Sequence, residues 1–193
     1  MPTSSSLLVG PDSLPRCAWV GTDAEYQRYH DEEWGTPLLG DRAVFEKISL
    51  EGFQAGLSWI TILRRRPAFR DAFYGFDIDR VAAMSPADVE RLVLDASIIR
   101  HRGKIEAVIS NARVTQGLGE SLSDLLWSFQ PAPGRSRPAE LAEIPAVTPE
   151  STALSTELRA RGYRFVGPTT MYALMQSAGL VDDHVAGCWR AAP

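Results

Sequence analysis

Two cysteines and two of the three histidines supply the ligand types of a closed metal site. Cys17 and His30 lie near the start of the chain, whereas His184 and Cys188 lie near its end. Four such ligands are what a closed tetrahedral zinc site requires, and the spacing of His184 and Cys188 puts both donors on one helix face. The alternatives are unrelated buried thiols or a disulfide. We expect one structural Zn²⁺ per chain that joins the two terminal segments.

A second candidate site is the segment from Leu50 to Trp59, which places a carboxylate among apolar residues. A buried carboxylate costs free energy unless it is paired or hydrogen-bonded. Glu51 is therefore either a member of a structural ion pair or a group poised for a ligand. Gly52 and Gly56 allow close approach of backbone or substrate, and Trp59 lies two turns along the same helix face. This segment is a candidate binding site.

Aromatic residues are concentrated around the first two metal-ligand candidates. Trp19, Tyr26, Tyr29 and Trp34 all fall in the stretch that contains Cys17 and His30. On a helix that begins near Asp23, Tyr26 and His30 share a face, so metal binding by His30 would fix where these rings point. Plain core packing is the alternative for any single ring. We interpret the group as the wall of a pocket.

Two basic clusters are candidates for a phosphate-binding surface. The segment 97–103 is a tight connection between two predicted helices, and Arg100, Arg102, Gly103 and Lys104 surround the start of the second. A helix start presents unpaired backbone N–H groups and a positive dipole end to an anion. The alternative is an ordinary helical hairpin with exposed arginines. For the second cluster, 64–66, the alternative is a solvated charged rim.

Bulk composition limits the class of protein. The chain has 193 residues and a formal net charge of −4, which argues against coating nucleic acid by bulk attraction but allows a local basic face. No stretch approaches the roughly 20 apolar residues of a membrane span, and the first 16 residues lack the apolar run of a signal peptide. We predict a cytoplasmic, monomeric protein with a disordered leader over 1–16 and one domain over 17–193.

The order of apolar positions predicts an all-α fold. Three- and four-residue spacing from Asp41 onward is typical of helices, and Ser85 followed by Pro86 marks another helix start. Pro67 is predicted to break the helix that contains the arginine triplet. The proline-spaced stretch 129–149 is predicted to be a surface crossing without long regular structure. We identify no strand.

Four segments, in this order and spacing, carry a resemblance to a known family. They are 29–35 (YHDEEWG), 50–59 (LEGFQAGLSW), 98–105 (IIRHRGKI) and 183–188 (DHVAGC). They resemble the 3-methyladenine DNA glycosylase I family, which belongs to the helix-hairpin-helix DNA glycosylases, and the likeness extends from Cys17 to Trp189. It implies a helical bundle and a monofunctional base-excision repair enzyme that hydrolyses the N-glycosidic bond of 3-methyladenine in alkylated DNA.

The resemblance also implies roles for individual residues. Glu51 would be the catalytic residue and would read the edge of the base. Structural zinc would be held by Cys17, His30, His184 and Cys188. The pocket would be shaped by Tyr29, Trp34 and Trp59 and completed by Trp19 and Tyr26. Double-stranded DNA would be contacted by Gly56 and Leu57 at the gap and by Arg100, Arg102, Gly103 and Lys104 at phosphates.

Other functions are open at this point. A zinc-stabilised DNA-binding module would use the hairpin without catalysis, and a broader alkylbase glycosylase would accept further damaged bases. Asp124 lies beyond the hairpin as a possible catalytic aspartate, although it equally suits a helix cap. Only Lys47 and Lys104 could form a Schiff base, and the second is assigned to phosphate, so we expect no lyase step.

Overall fold

The structure is a computed structural model that describes residues 6–134 and 136–191, and in these ranges it is mostly helical. The helices are α1 Ala24–Glu32, α2 Asp41–Gln54, α3 Trp59–Ala72, α4 Ile78–Ala82, α5 Pro86–Leu94, α6 Arg102–Gln116, α7 Leu122–Trp127, α8 Pro149–Ala160 and α9 Pro168–Ser177. Two short strands, β1 Leu7–Val9 and β2 Pro15–Cys17, precede them. Single 3-10 turns lie at Ala18–Val20, Tyr74–Phe76 and Leu141–Glu143.

Helix α2 runs through the centre of the molecule and packs against α3, α6, α7 and α9. Its residues from 47 to 53 are all buried, which a surface helix with one apolar stripe would not show. Phe53 near its end packs on Phe69 of α3, with ring centroids 4.5 Å apart. Because α2 carries Glu51, this packing holds that carboxylate inside the protein.

The starts of α1 and α5 carry the caps that the sequence indicated, and α8 has a cap that it did not. The side chain of Asp23 accepts a hydrogen bond from the backbone N–H of Tyr26 at the start of α1. Ser85 and Asp88 form a reciprocal capping box at α5, as Thr148 and Ser151 do at α8. Each cap satisfies N–H groups that have no partner inside the helix.

Helices α5 and α6 form a hairpin whose connection runs from 95 to 101. Ile98 is buried and anchors the connection in the core. The guanidinium of Arg65 on α3 donates to the carbonyls of Ala96 and Ser97 at 2.9 and 3.0 Å. The side chain of His101 caps α6 by accepting from Lys104 N–H. The hairpin is thus fixed from within and from α3.

The predicted break at Pro67 is wrong, because α3 continues through it to Ala72. Pro67 lies on the exposed face of the helix. Buried residues on either side, Ile62 and Leu63 before it and Phe69 after it, keep both halves packed on the core. Tertiary packing here outweighs the loss of one backbone hydrogen bond.

The predictions that no strand is present and that the leader is unstructured are wrong for the described residues before Cys17. Strands β1 and β2 pair antiparallel, with Leu7 opposite Cys17. Arg16 is only 5% exposed and binds Asp12 within the hairpin and Asp31 on α1. These ionic hydrogen bonds compensate for the lack of apolar residues that the prediction relied on. Residues 1–5 lie outside the described part.

The proline-spaced stretch has little regular structure in the part described: over 129–134 and 136–148 its one helical segment is the 3-10 turn Leu141–Glu143, and α8 begins at Pro149. It also packs inward, since Leu141 and Ile144 contact the apolar cluster of Cys17, Val185 and Cys188. The prediction of a crossing therefore agrees with the structure, while two of its side chains contribute to buried contacts.

Over the described residues, none of the helices combines the length and the apolar character needed to cross a membrane.

Candidate functional site

The four predicted metal ligands meet at one buried point. The ligand atoms of Cys17, His30, His184 and Cys188 all lie within 4.8 Å of one another. His184 Nδ1 is 3.2 Å from His30 Nε2, and Cys188 Sγ is 3.4 Å from His30 Nε2. Each residue is at most 4% exposed. The structure therefore brings together a Cys and His cluster that could hold a metal ion, and both cysteines are free thiols rather than a disulfide.

The two histidine rings are held by outer hydrogen bonds that leave one nitrogen of each facing the cluster. His30 Nδ1 lies 2.8 Å from a carboxylate oxygen of Asp31, so Nε2 faces inward. His184 Nε2 lies 3.3 Å from the carbonyl of Trp34, so Nδ1 faces inward. Asp31 is fixed in turn by Arg16 and Trp189. Such outer partners orient metal-binding histidines and set their tautomers.

A cavity of about 210 Å³ opens beside Glu51. We call it the aromatic pocket. All five predicted wall residues line it, together with Glu51, as do Gln54, Ile144, Ala173, Gln176 and Ser177. The five are Trp19, Tyr26, Tyr29, Trp34 and Trp59. Indole and phenol rings beside a carboxylate suit a flat ligand that carries positive charge and hydrogen-bond donors.

The Glu51 carboxylate is buried and only partly satisfied. It is 3% exposed, and its Oε1 accepts a hydrogen bond from Ser177 Oγ at 3.0 Å. Its Oε2 has no hydrogen-bond partner among the described residues, and neither has Trp59 Nε1. No arginine binds this carboxylate in the described part of the chain. The pocket thus offers one buried acceptor and one buried donor that protein groups leave available for a polar ligand.

Burial controls the ionisation of this site. It raises the pKa of Glu51 from 4.5 to about 7, and the charge of Lys47 and the Ser177 hydrogen bond oppose part of that rise. Burial, with Glu51 as a smaller cause, raises the pKa of Tyr26 to about 12 and that of Tyr29 well above 10. The Glu51 carboxylate consequently titrates near neutrality, while both phenols stay protonated.

Lys47, one turn before Glu51 on α2, lies behind the pocket wall. Its ammonium donates to the Tyr29 hydroxyl at 2.8 Å and lies 4.8 and 4.5 Å from the ring centroids of Tyr29 and Trp59. Burial lowers its pKa from 10.5 to about 8, against the opposing charges of Glu51 and Glu33. Sequence reasoning gave Lys47 no part in this site.

The metal cluster and the aromatic pocket share a wall. The Trp34 ring is 4.6 Å from the His184 ring at 86°, and the Trp19 ring is 5.4 Å from the His30 ring. Trp19 also packs on Tyr26 at 4.9 Å. Anything that fixes the two histidines therefore fixes two rings of the pocket, as the sequence spacing of His30 and Tyr26 suggested.

The predicted DNA-contacting residues are only partly gathered on one surface. Gly56, in the loop after α2, has a positive φ of 83°, and the next residue, Leu57, is 42% exposed. Arg100 is exposed and has no carboxylate at ion-pair distance among the described residues. Arg102 is exposed too, but it forms two 2.7 Å hydrogen bonds with Glu90. Gly103 lies in the first turn of α6.

Lys104 requires a correction. It is 7% exposed, and its ammonium donates to the carbonyls of Phe53 at 2.9 Å and Ala55 at 2.6 Å. These carbonyls end α2 and have no partner within that helix. The prediction that this side chain grips phosphate is wrong in this structure, because it is used to join α6 to α2.

The arginine triplet and Asp124 do not face the pocket. Arg64 pairs with Asp23, Arg66 binds Glu33 at 2.5 and 2.8 Å, and Arg65 supports the hairpin. The triplet thus links α3 to its neighbours. Asp124 is exposed in the first turn of α7, where Ser121 is the cap.

Two contributors to the site carry no sequence signature that we recognised. Ser177 ends α9 and reaches Glu51 from 126 positions away in the chain. Asp31 directly follows His30, and that adjacency is a signal that could have identified it as the histidine's partner. Both hold a functional candidate in place through a hydrogen bond.

The family model described as methyladenine glycosylase matches residues 19–191. The chain is 51% identical over 179 residues to DNA-3-methyladenine glycosylase 1 of Escherichia coli (strain K12), which covers 91% of this chain and 96% of that protein. It is 46% identical over 177 residues to DNA-3-methyladenine glycosylase of Haemophilus influenzae, with 90% and 96% covered.

Solved structures give the same result. A crystal structure of 3-methyladenine DNA glycosylase I superposes with a TM-score of 0.88 at 50% identity and covers 92% of this chain and 100% of its own. The Staphylococcus aureus 3-methyladenine DNA glycosylase I, described in terms of its recognition of 3-methyladenine, superposes with a TM-score of 0.85 at 36% identity, with 92% and 97% covered.

Proposed function

The chain belongs to the methyladenine glycosylase family, and we propose that it excises 3-methyladenine from alkylated DNA with the aromatic pocket as its base-binding site. It is a DNA repair glycosylase that hydrolyses the N-glycosidic bond, releases the free base and leaves an abasic site. The observation that carries the assignment of the site is the unpartnered Oε2 of Glu51 beside five aromatic rings.

Selectivity follows from charge. Methylation at N3 places positive charge on adenine, and electron-rich rings attract a cation by up to about 2 kcal/mol when water is excluded. Ionised Glu51 accepts a hydrogen bond from the exocyclic amino group of the base. Neutral adenine gains less from both contacts. Extraction of a well-paired base also costs a few kcal/mol more than extraction of a damaged one.

The reaction needs little help at the leaving group. Water adds its oxygen to C1′ of the sugar while the bond from C1′ to N9 breaks, and the bonding electron pair neutralises the positive charge of the departing base. The water gives up one proton to solvent. Because the sugar becomes cationic as the bond breaks, the Glu51 carboxylate stabilises this stage electrostatically. Neither a general acid at the base nor a covalent intermediate is required.

The proposed enzyme is monofunctional. Lys47 and Lys104 are its only lysines. Lys47 donates a hydrogen bond to Tyr29 and does not line the aromatic pocket. Lys104 donates hydrogen bonds to two backbone carbonyls. Neither amine is presented to C1′ for a Schiff base. We therefore expect base release without cleavage of the strand.

Zinc is the metal that the Cys and His cluster fits. Tetrahedral Zn²⁺ requires ligand atoms roughly 3.3 to 3.8 Å apart, given its usual bond lengths. The ligand atoms here are separated by 3.2, 3.4, 3.6 and 3.8 Å in four of their six pairs, and all six separations are within 4.8 Å. When bound, the ion would cross-link the two terminal segments and supply no reaction chemistry, because four protein ligands leave no open position.

DNA binding is assigned to the surface around the α5–α6 hairpin. Arg100 and the first N–H groups of α6, at Arg102 and Gly103, would contact phosphates. Leu57, exposed after Gly56, would fill the gap that the extruded nucleotide leaves. The partner is therefore double-stranded DNA that contains an alkylated base.

The test is release of bases from methylated duplex DNA by wild type and Glu51→Gln, with 3-methyladenine, 7-methylguanine and hypoxanthine measured separately. Wild type should release 3-methyladenine and leave intact strands with abasic sites. Glu51→Gln should be about 10- to 100-fold slower, as expected for loss of a charged hydrogen-bond partner. Full activity of that variant would exclude the role of Glu51. Tight DNA binding without release would favour a non-catalytic module, and release of all three bases a broader glycosylase.

A further inference from the structure

Phe165, in the turn between α8 and α9, is an aromatic side chain in an unfavourable position. It is 37% exposed, and its φ of 57° lies in the left-handed region. Residues other than glycine rarely adopt that region, asparagine and aspartate do so more often than most, and bulky ones are true outliers. Residues held in this way cluster at functional sites, where the surrounding structure maintains them.

The turn is held from several sides. The Asn111 amide on α6 donates to the carbonyl of Arg164 at 3.0 Å and accepts from its N–H at 2.8 Å. The Val166 carbonyl accepts from Ser155 Oγ at 2.6 Å. Tyr163 and Val166 on either side are buried. Both neighbours are thus anchored through their backbones, while the Phe165 side chain remains partly exposed.

Phe165 fills the junction between the end of α2 and the start of α6. A Cβ on Gly52 would lie 3.4 Å from the Phe165 Cβ, and one on Gly103 would lie 3.9 Å from the tip of its ring. The ring is 6.1 Å from that of His101, the cap of α6. The same two helix ends carry the Leu57 loop and the hairpin, so Phe165 lies between the two proposed DNA contacts.

The exposed arginines near Phe165 are suited to bind a polyanion. Arg164 and Arg100 are exposed, and over the ranges 6–134 and 136–191 no carboxylate lies at ion-pair distance from either. Most other arginines of the described chain are paired with acids, as Arg102 is with Glu90. We define the DNA face as Leu57, Arg100, Arg164 and Phe165. It joins two exposed apolar side chains to two unpaired cations.

We propose that the Arg164–Phe165 turn is a third DNA contact, with the Phe165 ring packed against the duplex beside the extruded nucleotide and Arg164 on an adjacent phosphate. The inference rests on the proposed function, because it takes DNA as the partner. The backbone of Phe165 is left-handed, and its ring lies beside His101 at the start of α6. The backbone strain is tolerated because the Asn111 clamp holds the turn before DNA arrives, so little ordering is required on binding.

The test is Phe165→Gly, which removes the ring but suits the left-handed backbone. Affinity for a duplex with a stable abasic-site analogue should fall by about tenfold, the usual order for loss of an aromatic contact with a base. Binding of free 3-methyladenine should not change. Leu39→Ala is the matched control, since Leu39 is 69% exposed and precedes the opposite end of α2. It should bind DNA like wild type.

Two further outcomes decide between explanations. If Phe165→Gly does not fold, Phe165→Asn replaces it, because asparagine tolerates the same backbone region. Equal loss of DNA and free-base binding, or unchanged DNA affinity, would overturn the proposal. Arg164→Gln should make the negative slope of log affinity against log salt shallower by about 0.9. Failure of wild type to release 3-methyladenine would instead refute the proposed function, which the affinity of Phe165→Gly for DNA does not test.

Discussion

Lys47 and Glu51 are one turn apart on α2, yet their charged groups form no ion pair in the described structure. The Lys47 ammonium donates instead to the Tyr29 hydroxyl at 2.8 Å. An ammonium has no acceptor, so the Tyr29 oxygen must accept this bond and its own proton is free to point elsewhere. Lys47 thus acts on Glu51 only through its field, and both Glu51 and Tyr29 keep hydrogen-bonding capacity for a ligand.

Buried Glu51 makes folding stability depend on pH. Its pKa is raised from 4.5 to about 7 in the folded protein, so its contribution to stability is greatest below 4.5 and is lost as pH rises through 7. The loss is about 3 kcal/mol. In denaturant titrations, Glu51→Gln should gain stability relative to wild type by up to this amount between pH 5 and pH 8. A difference that is constant with pH would contradict the raised pKa.

The same pKa predicts how Lys47 tunes activity. Ionised Glu51 is the form that binds a cationic base, so kcat/KM for 3-methyladenine release should rise as pH passes through about 7. Lys47→Met removes the charge that lowers the pKa of Glu51. The pH at which kcat/KM rises should therefore increase by about one pH unit. The measurement is a pH profile of kcat/KM on methylated duplex DNA.

Arg70→Met is the matched control for Lys47→Met. Arg70 on α3 is also a cation next to α2, where it pairs with Glu46, and it is half exposed. It does not contribute to the pKa of Glu51. Its pH profile should coincide with that of wild type. If kcat/KM rose at the same pH in Lys47→Met and Arg70→Met, Lys47 would not act on Glu51.

Residues with specific local chemistry were predictable from the sequence. Cys17, His30, His184 and Cys188 are few and of ligand type, so their convergence could be expected without knowledge of the fold. The mostly helical architecture followed from periodic apolar positions and from caps such as Ser85. The aromatic wall followed from the density of rings around His30. In each case the information lies in residue type or short-range spacing.

What could not be predicted depends on contacts between distant segments. Ser177 binds Glu51 only because α9 packs on α2. Lys104 has the sequence context of a phosphate ligand, yet the carbonyls at the end of α2 accept its protons. Strand β2 is held against α1 because Arg16 donates hydrogen bonds to Asp31. Residue types and short-range spacing contain no information on these contacts. The sequence-based prediction therefore assigned Lys104 wrongly and omitted the other two.

Asp31 should set the affinity of the proposed zinc site. Its carboxylate orients His30 at 2.8 Å, and loss of such an outer partner typically costs 10- to 100-fold in metal affinity. We expect that loss for Asp31→Asn in competition with a chromophoric chelator. Asp12→Asn is the control, because Asp12 shares Arg16 but does not touch His30. Equal metal affinities for the two variants would show that Asp31 does not contribute to metal binding.

Lys104 and Arg100 are both cations of the hairpin, but Lys104 is buried against two carbonyls whereas Arg100 is exposed, and we propose a DNA contact for Arg100 alone. Lys104→Met leaves two carbonyls at the end of α2 without their donor, which should lower the free energy of unfolding by about 2 kcal/mol. The salt dependence of its DNA binding should match wild type. Arg100→Gln should retain wild-type stability but make the negative slope of log affinity against log salt shallower by about 0.9. If Lys104→Met instead made that slope shallower, the Lys104 ammonium of the wild type would leave the carbonyls of Phe53 and Ala55 for a phosphate when DNA binds.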